Sequence, residues 1–269
     1  MVNPAKEGIR LYKTLYEKYD DDYGSSVVGI SGSQGSVKTT ACLDLAEKKM
    51  NHHKKEKIFW RETYDSPMQC RRVIKYPYKI YAEEGLKLWF ITKKGKVQPD
   101  IERFNTIEEL YNMSEYQTLN VVFFNNKKDW TDLIKFCNNR CTDWVTIFLD
   151  EMEGLYNAGS NNQTADRWWD WMAYSGEIIK ECRKSHTSIF GNYHDGNLID
   201  HRIVGKFMFY LYGFGAIVNH ARSRVTQAAV DQCKLGEFYI AQARHRFGKI
   251  KIDPFYPAID DKWVVKSII

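Results

Sequence analysis

The sequence predicts a three-layer α/β domain with a mainly parallel central sheet, a lateral insertion and a C-terminal β extension. Two stretches carry that reading. The first, Val27 to Thr40 (VVGISGSQGSVKTT), passes from a β-branched apolar strand through a Gly/Ser-rich turn into Lys-Thr-Thr and a helix-compatible run, Ala41 to Met50. The second, Trp144 to Glu151 (WVTIFLDE), is a near-continuous apolar strand that ends in two carboxylates. Strands of this buried type, alternating with helical segments, belong to parallel sheets covered on both faces.

Ala5 to Tyr19 opens the chain with Ile9, Leu11, Tyr12, Leu15, Tyr16 and Tyr19 at spacings of three and four, an amphipathic helix. The acidic run Asp20-Asp21-Asp22 then reads as a solvated linker, so residues 1–24 form a helix-and-linker segment ahead of one domain over 25–269. Gly32 to Thr39 fits the phosphate-loop spacing GxxxxGK[ST], except that Val37 stands where the pattern has glycine. Backbone N–H groups and a helix dipole would converge there on an anion. Gly32, Ser33, Gln34, Gly35, Ser36, Val37, Lys38, Thr39 and Thr40 are the expected phosphate-lining residues. Lys38 would reach the terminal phosphates and Thr39 would hold magnesium. A branched Val37 must turn its side chain outward or weaken nucleotide binding, because glycine normally lets the backbone approach there. The plain alternative is a strand-to-helix turn without a ligand.

Asn51 to Lys57 reads as a surface loop and Lys57 to Glu62 (KIFWRE) as a second strand. Residues 64–120 look like a lateral elaboration, with strand-like runs at Val73 to Glu83 and Leu88 to Thr92 and a short helix over Ile107 to Met113. Asn120 to Phe124 is a buried-type strand and Trp130 to Asn138 a helix. The WVTIFLDE strand follows. Carboxyl ends of parallel strands face the ligand crevice, which sets Asp150 beside the phosphate loop. There it can complete magnesium coordination with Thr39, while Glu151 can orient or deprotonate an attacking water. Exposed loop charge is the alternative for this pair.

The long helix Ala165 to Lys184 places Trp168, Trp169, Met172, Ala173, Ile178 and Ile179 on one broad face. Burial is the expected role of that face, and base stacking the alternative. The strand Thr187 to Gly191 runs into Asn192-Tyr193-His194-Asp195, where Asn192 can sense a terminal phosphate or hold the water, or simply begin a turn. His194 reads as a hydrogen-bonded surface residue, since no second metal ligand is spaced to help it. A short helix over Leu198 to Val204, a strand over Phe207 to Tyr212, a helix over Ser223 to Cys233 and a hairpin of Glu237 to Ala241 with Lys249 to Asp253 complete the chain. The arginines at 183, 202, 222, 224, 244 and 246 are not separable into surface and catalytic roles by sequence.

With 43% hydrophobic residues the chain can bury a substantial core, and its net charge of +5 is compatible with nucleic-acid contact without establishing it. Six cysteines without a CxxC pair read as buried or incidental thiols in a reducing compartment. No leader-like segment precedes Tyr12, and the longest apolar run, Phe207 to Val218, is interrupted by glycines and too short to span a bilayer. A soluble cytoplasmic protein is expected, without membrane insertion.

The set GSQGSVKTT, then FLDE, then a helix ending in ECRK, then TSIFGNYHD resembles P-loop ATPases of the additional-strand, catalytic-glutamate division, most closely the FtsK–HerA group. That group includes DNA-translocating motors and viral DNA-packaging ATPases, and the similarity covers roughly Val27 to Val204. The resemblance implies a P-loop NTPase fold, ATP and Mg2+ as ligands, DNA as partner, a homo-oligomeric ring, a hexamer by analogy, and a virus or plasmid origin. It gives Lys38 and Thr39 the phosphate and magnesium roles, and Asp150 and Glu151 the second metal contact and the base. Asn192 or Tyr193 falls at the polar sensor, and Arg183 and Arg202 are the candidates for an arginine acting on a neighbouring subunit. Val37 departs from the group's pattern, as does Asn-Tyr where a Thr-Gln type end is usual. A second reading is a degenerate nucleotide-binding module in DNA binding or assembly with little turnover. A third, a small-molecule kinase, lacks a recognisable acceptor pocket or lid.

Overall fold

The computed structural model describes residues 3–17, 25–62, 76–88, 90–92, 95–97, 100–140, 142–158, 165–219, 223–243 and 245–253. The acidic run at 20–22, Arg222, Arg244, Cys70, Cys141 and the start of the 64–120 region lie outside them. The strands are β1 (Val27–Ser31), β2 (Glu56–Arg61), β3 (Tyr78–Glu83), β4 (Phe90–Thr92), β5 (Gly95–Val97), β6 (Glu102–Phe104), β7 (Leu119–Phe123), β8 (Trp144–Leu149), β9 (Thr187–Tyr193), β10 (Phe209–Gly213), β11 (Glu237–Gln242) and β12 (Arg246–Lys251). The helices are α1 (Pro4–Thr14), α2 (Lys38–His52), α3 (Ile107–Met113), α4 (Asp129–Arg140), α5 (Ala165–Glu181), α6 (His201–Val204) and α7 (Gln227–Asp231).

Ten strands form one sheet in the order β12-β11-β10-β1-β9-β8-β2-β7-β3-β6. From β10 to β6 every pairing is parallel, and β11 and β12 add an antiparallel margin. The 64–120 region therefore widens the main sheet through β3 and β6, with β4–β5 as a small separate hairpin. Alternating side chains divide the interior into two layers. Val145, Ile147 and Leu149 of β8 join Leu133 and Ile134 of α4 and Met172 and Ile179 of α5 on one face. Phe148 of β8 joins Val28, Ile30, Leu43 and Leu45 of β1 and α2 on the other, together with Leu11 and Leu15 at α1. This is the three-layer α/β architecture expected from the sequence.

Several boundaries differ from expectation. Helix α1 stops at Thr14, and Leu15 and Tyr16 follow as a buried turn. The surface loop expected over 51–57 is shorter: α2 continues to His52 and β2 starts at Glu56, with Asn51, His52, Lys54 and Lys55 exposed and Glu56 and Lys57 buried. Glu56 is buried against Lys49 at 3.3 Å, and buried Lys57 donates to the carbonyls of Tyr111 and Ser114. Of the face expected on α5, Met172, Ile178 and Ile179 are buried and Trp168 packs partly buried against the core, whereas Trp169 and Ala173 are exposed. The 223–233 helix shrinks to the single turn of α7, opened by the Thr226 side chain capping Ala229 N. Leu198 to Val204 divides between a 3-10 turn at Gly196–Leu198 and α6, each capped by an aspartate, Asp195 and Asp200.

Helix α1 crosses β12 where both backbones are bare. A Cβ built on Gly248 would stand 2.1 Å from Gly8 N, and one on Gly8 would stand 2.2 Å from Lys249 O. No side-chain rearrangement relieves a clash with main chain. G248A is therefore expected to cost about 1–3 kcal/mol through overpacking. It should lower the thermal midpoint by several degrees and speed proteolysis of the N-terminal helix. An unchanged melting curve would contradict this docking.

Candidate nucleotide site

Strand β1 delivers the phosphate loop and β8 delivers Asp150 and Glu151 at the same end of the sheet. The two are not neighbours: β9 runs between them, parallel to both. They nonetheless meet, since Thr39 Oγ1 donates to Asp150 Oδ1 at 3.3 Å. The Lys38, Thr39 and Thr40 N–H groups open α2 and have no intrahelical acceptor, as at any helix start.

Lys38 is folded back onto its own loop. Its ammonium donates to the carbonyls of Gly32 at 2.7 Å and Ser33 at 2.9 Å and lies 3.1 Å from His194 Nδ1. An ammonium only donates, so the imidazole accepts through Nδ1. Burial pulls Lys38 down to about 8, against the opposing pull of the Glu153, Asp150 and Glu151 carboxylates. His194 is the hydrogen-bonded, partly exposed residue expected, and its ring partner is the Lys38 ammonium. Its backbone N–H donates to Glu153 Oε1 at 3.2 Å, and Glu153 Oε2 is buried without a hydrogen-bond partner among the described residues. Neither residue is marked by a sequence signal; only the fold brings them to Lys38.

Val37 adopts φ 73°, ψ 15°, the left-handed conformation that glycine supplies in this loop pattern. Its side chain is buried. Thr40 also departs from the loop: it lines a cleft of about 820 Å³ with Tyr12, Asp44 and Tyr76, between α1 and α2.

Asp150 is 2% exposed, and burial raises its carboxyl to about 6 despite hydrogen bonds from Asn192 and Thr39. Oδ1 accepts from Thr39 and from the Asn192 amide, whereas Oδ2 is buried with no partner among the described residues. Asn192 and Tyr193 lie inside β9, which extends to Tyr193 instead of ending at Gly191. Asn192 Oδ1 accepts the Glu151 N–H at 2.8 Å, so the amide joins Asp150 to Glu151. Tyr193 turns into the core against Phe207.

Glu151 is left-handed, with φ 50°. Arg61 at the end of β2 supports it from the other side: its buried guanidinium donates to the carbonyls of Asp150 and Glu151. The sequence showed Arg61 only as the polar end of KIFWRE. Arg183 and Arg202 are tied elsewhere in their own chain. Arg183 donates to Lys206 O beside the amino ends of β1 and β9, away from the loop. Arg202 grips buried Asp200 at 2.9 Å and stacks on Trp169, 4.4 Å from the ring centre.

The residues fit a magnesium ion shared with a triphosphate. Asp150 Oδ2 and the Thr39 hydroxyl are hard oxygen donors, and magnesium bound with phosphates needs only one or two protein ligands. Among the described residues no group of three or more His, Cys, Asp or Glu side chains forms a metal cage.

No family model matches the chain, and no curated protein matches it in sequence. Solved structures do match in fold. The genome packaging NTPase B204 from Sulfolobus turreted icosahedral virus 2 in complex with AMPPCP superposes at a TM-score of 0.54 and 11% identity, over 87% of this chain and 99% of that one. The bacterial conjugative coupling protein TrwBdeltaN70 gives 0.58 at 9% identity, over 94% and 93%. At such identity the agreement establishes the P-loop NTPase fold, the fold that the FtsK–HerA resemblance implies.

Holding Asp150 charged in its buried site costs the ligand-free protein stability at neutral pH, as its raised carboxyl shows, and removing the charge relieves that cost. D150N is expected to raise its stability by about 1–3 kcal/mol and to remove the extra stabilisation that ATP with magnesium gives. Calorimetric melts with and without ATP and magnesium check both effects, and a lower ligand-free midpoint would contradict the first.

Proposed function

We propose that the chain is an ATP-hydrolysing P-loop motor acting on DNA, in translocation or packaging, and working as a homo-oligomeric ring, a hexamer by analogy, in the cytoplasm of its host. The observation that carries this reading is the convergence of Thr39 and Asp150 across the inserted strand β9, with Glu151 fixed beside them by Asn192. The fold agreement with a viral genome packaging NTPase and a conjugative coupling protein supports the DNA-handling part. Among the described residues no helix is long and apolar enough to cross a membrane.

In this reading the triphosphate draws Lys38 off the Gly32 and Ser33 carbonyls and onto its terminal phosphates, and the loop N–H groups orient the chain of phosphates. Magnesium held by Thr39 and Asp150 would neutralise phosphate charge when bound. Glu151 takes a proton from the attacking water, and Asn192 keeps Glu151 in line rather than touching phosphate itself. Arg183 and Arg202 stay the candidates for a cation presented to a neighbouring subunit; each must first exchange the contact it makes in its own chain.

K38A is expected to abolish turnover. E151Q should retain ATP binding while losing hydrolysis by about 100- to 10,000-fold, the usual worth of a general base. A DNA-stimulated ATPase assay run with a solution mass measurement checks both variants and the ring together. Normal rates in both would remove the mechanism.

Val37 favours a second reading, a nucleotide-binding module with little turnover. A β-branched residue held left-handed stores about 1–2 kcal/mol of strain. Under the second reading V37G raises ATPase activity sharply; under the first it leaves the rate within a few-fold, because Val37 already holds the required conformation.

A further inference from the structure

The loop that follows β10 carries Phe214 and Ile217, two of the nine large apolar side chains exposed among the described residues, at 47% and 49%. Single exposed apolar residues need no explanation. A pair held outward by a braced loop beside a phosphate site does.

The bracing is specific. Phe214 O accepts from both Ser33 N at 2.9 Å and Ser33 Oγ at 3.2 Å, so the loop is fastened to the phosphate loop itself. Gly215, at φ 69°, packs so closely that a Cβ there would lie 2.7 Å from the Ser33 Cβ. On the far side the Gln227 side chain donates to Ala216 O and accepts from Val218 N, both at 2.9 Å. Ala216 and Val218 are buried, which leaves Phe214 and Ile217 facing solvent.

Position in the sheet says what this surface meets. Strand β10 flanks β1 on one side, and β9 and β8 lie on the other. Asp150 and Glu151 thus place the reacting end of a triphosphate toward β8. The remainder of the ligand leads away from them, toward the carboxyl end of β10. We infer that Phe214, flanked by Ile217, is the stacking platform for the base of a nucleoside triphosphate whose phosphates lie on the 32–39 loop. Aromatic faces bind bases by stacking with little selectivity among them, so a purine is accepted here through its face. The inference rests on the phosphate-site reading above.

Calorimetric titration of the wild-type chain, F214A and F214Y with ATP and with inorganic tripolyphosphate, both with magnesium, tests it. Loss of one stack weakens ATP binding about tenfold in F214A. The expected pattern is that loss for ATP alone, with tripolyphosphate unchanged and with ATP affinity kept in F214Y. Equal ATP affinity in F214A and wild type overturns the platform. Equal loss for both ligands also overturns it, since that marks a disturbed phosphate loop. If wild type binds neither ligand, the phosphate-site reading fails first and the platform with it.

Discussion

One peptide unit, that between Asp150 and Glu151, is held from both sides, and the geometry of the site depends on that grip. The two strands that flank β8 each send one side chain over its end. Asn192 from β9 donates to the Asp150 carboxylate and accepts the Glu151 N–H. Arg61 from β2 donates to both carbonyls. Glu151 can then sit in a left-handed conformation that a glutamate would not choose unaided. A free loop at this position would leave its two carboxylates to diffuse over several orientations. Here the sheet register sets their positions.

The site also concentrates groups in poor electrostatic circumstances. Lys38 is buried and drawn down to about 8, and Asp150 is buried and raised to about 6. Val37 holds a backbone conformation made for glycine. These departures lie together at one end of the sheet. Such clustering is more often found at functional sites than at structural ones, and it supports the nucleotide-site proposal.

How much of this the sequence discloses follows from the range of each interaction. The phosphate loop and the WVTIFLDE strand are contiguous signals, and the parallel sheet follows from them. Helix α3 lies where Ile107 to Met113 marks it. Contacts between distant segments are not written locally. Nothing around Arg61 says that its guanidinium meets residues 150 and 151, and nothing around His194 says that it faces Lys38. Burial of polar residues misleads in the same way: the basic composition of 51–57 suggests solvent, which holds for 51, 52, 54 and 55, yet Glu56 is buried against Lys49 and Lys57 finds carbonyl acceptors. On α5 the adjacent Trp168 and Trp169 look alike in sequence, yet only Trp168 packs on the core and Trp169 is exposed.

The breadth of the sheet has a consequence of its own. Adjacent strands rotate by roughly 20° from one to the next, so across ten of them the two margins swing through about half a revolution. One margin is antiparallel and covered by a helix, the other parallel and short-stranded. If subunits assemble in the proposed ring, two such dissimilar rims suit a front-to-back contact better than a face-to-face one.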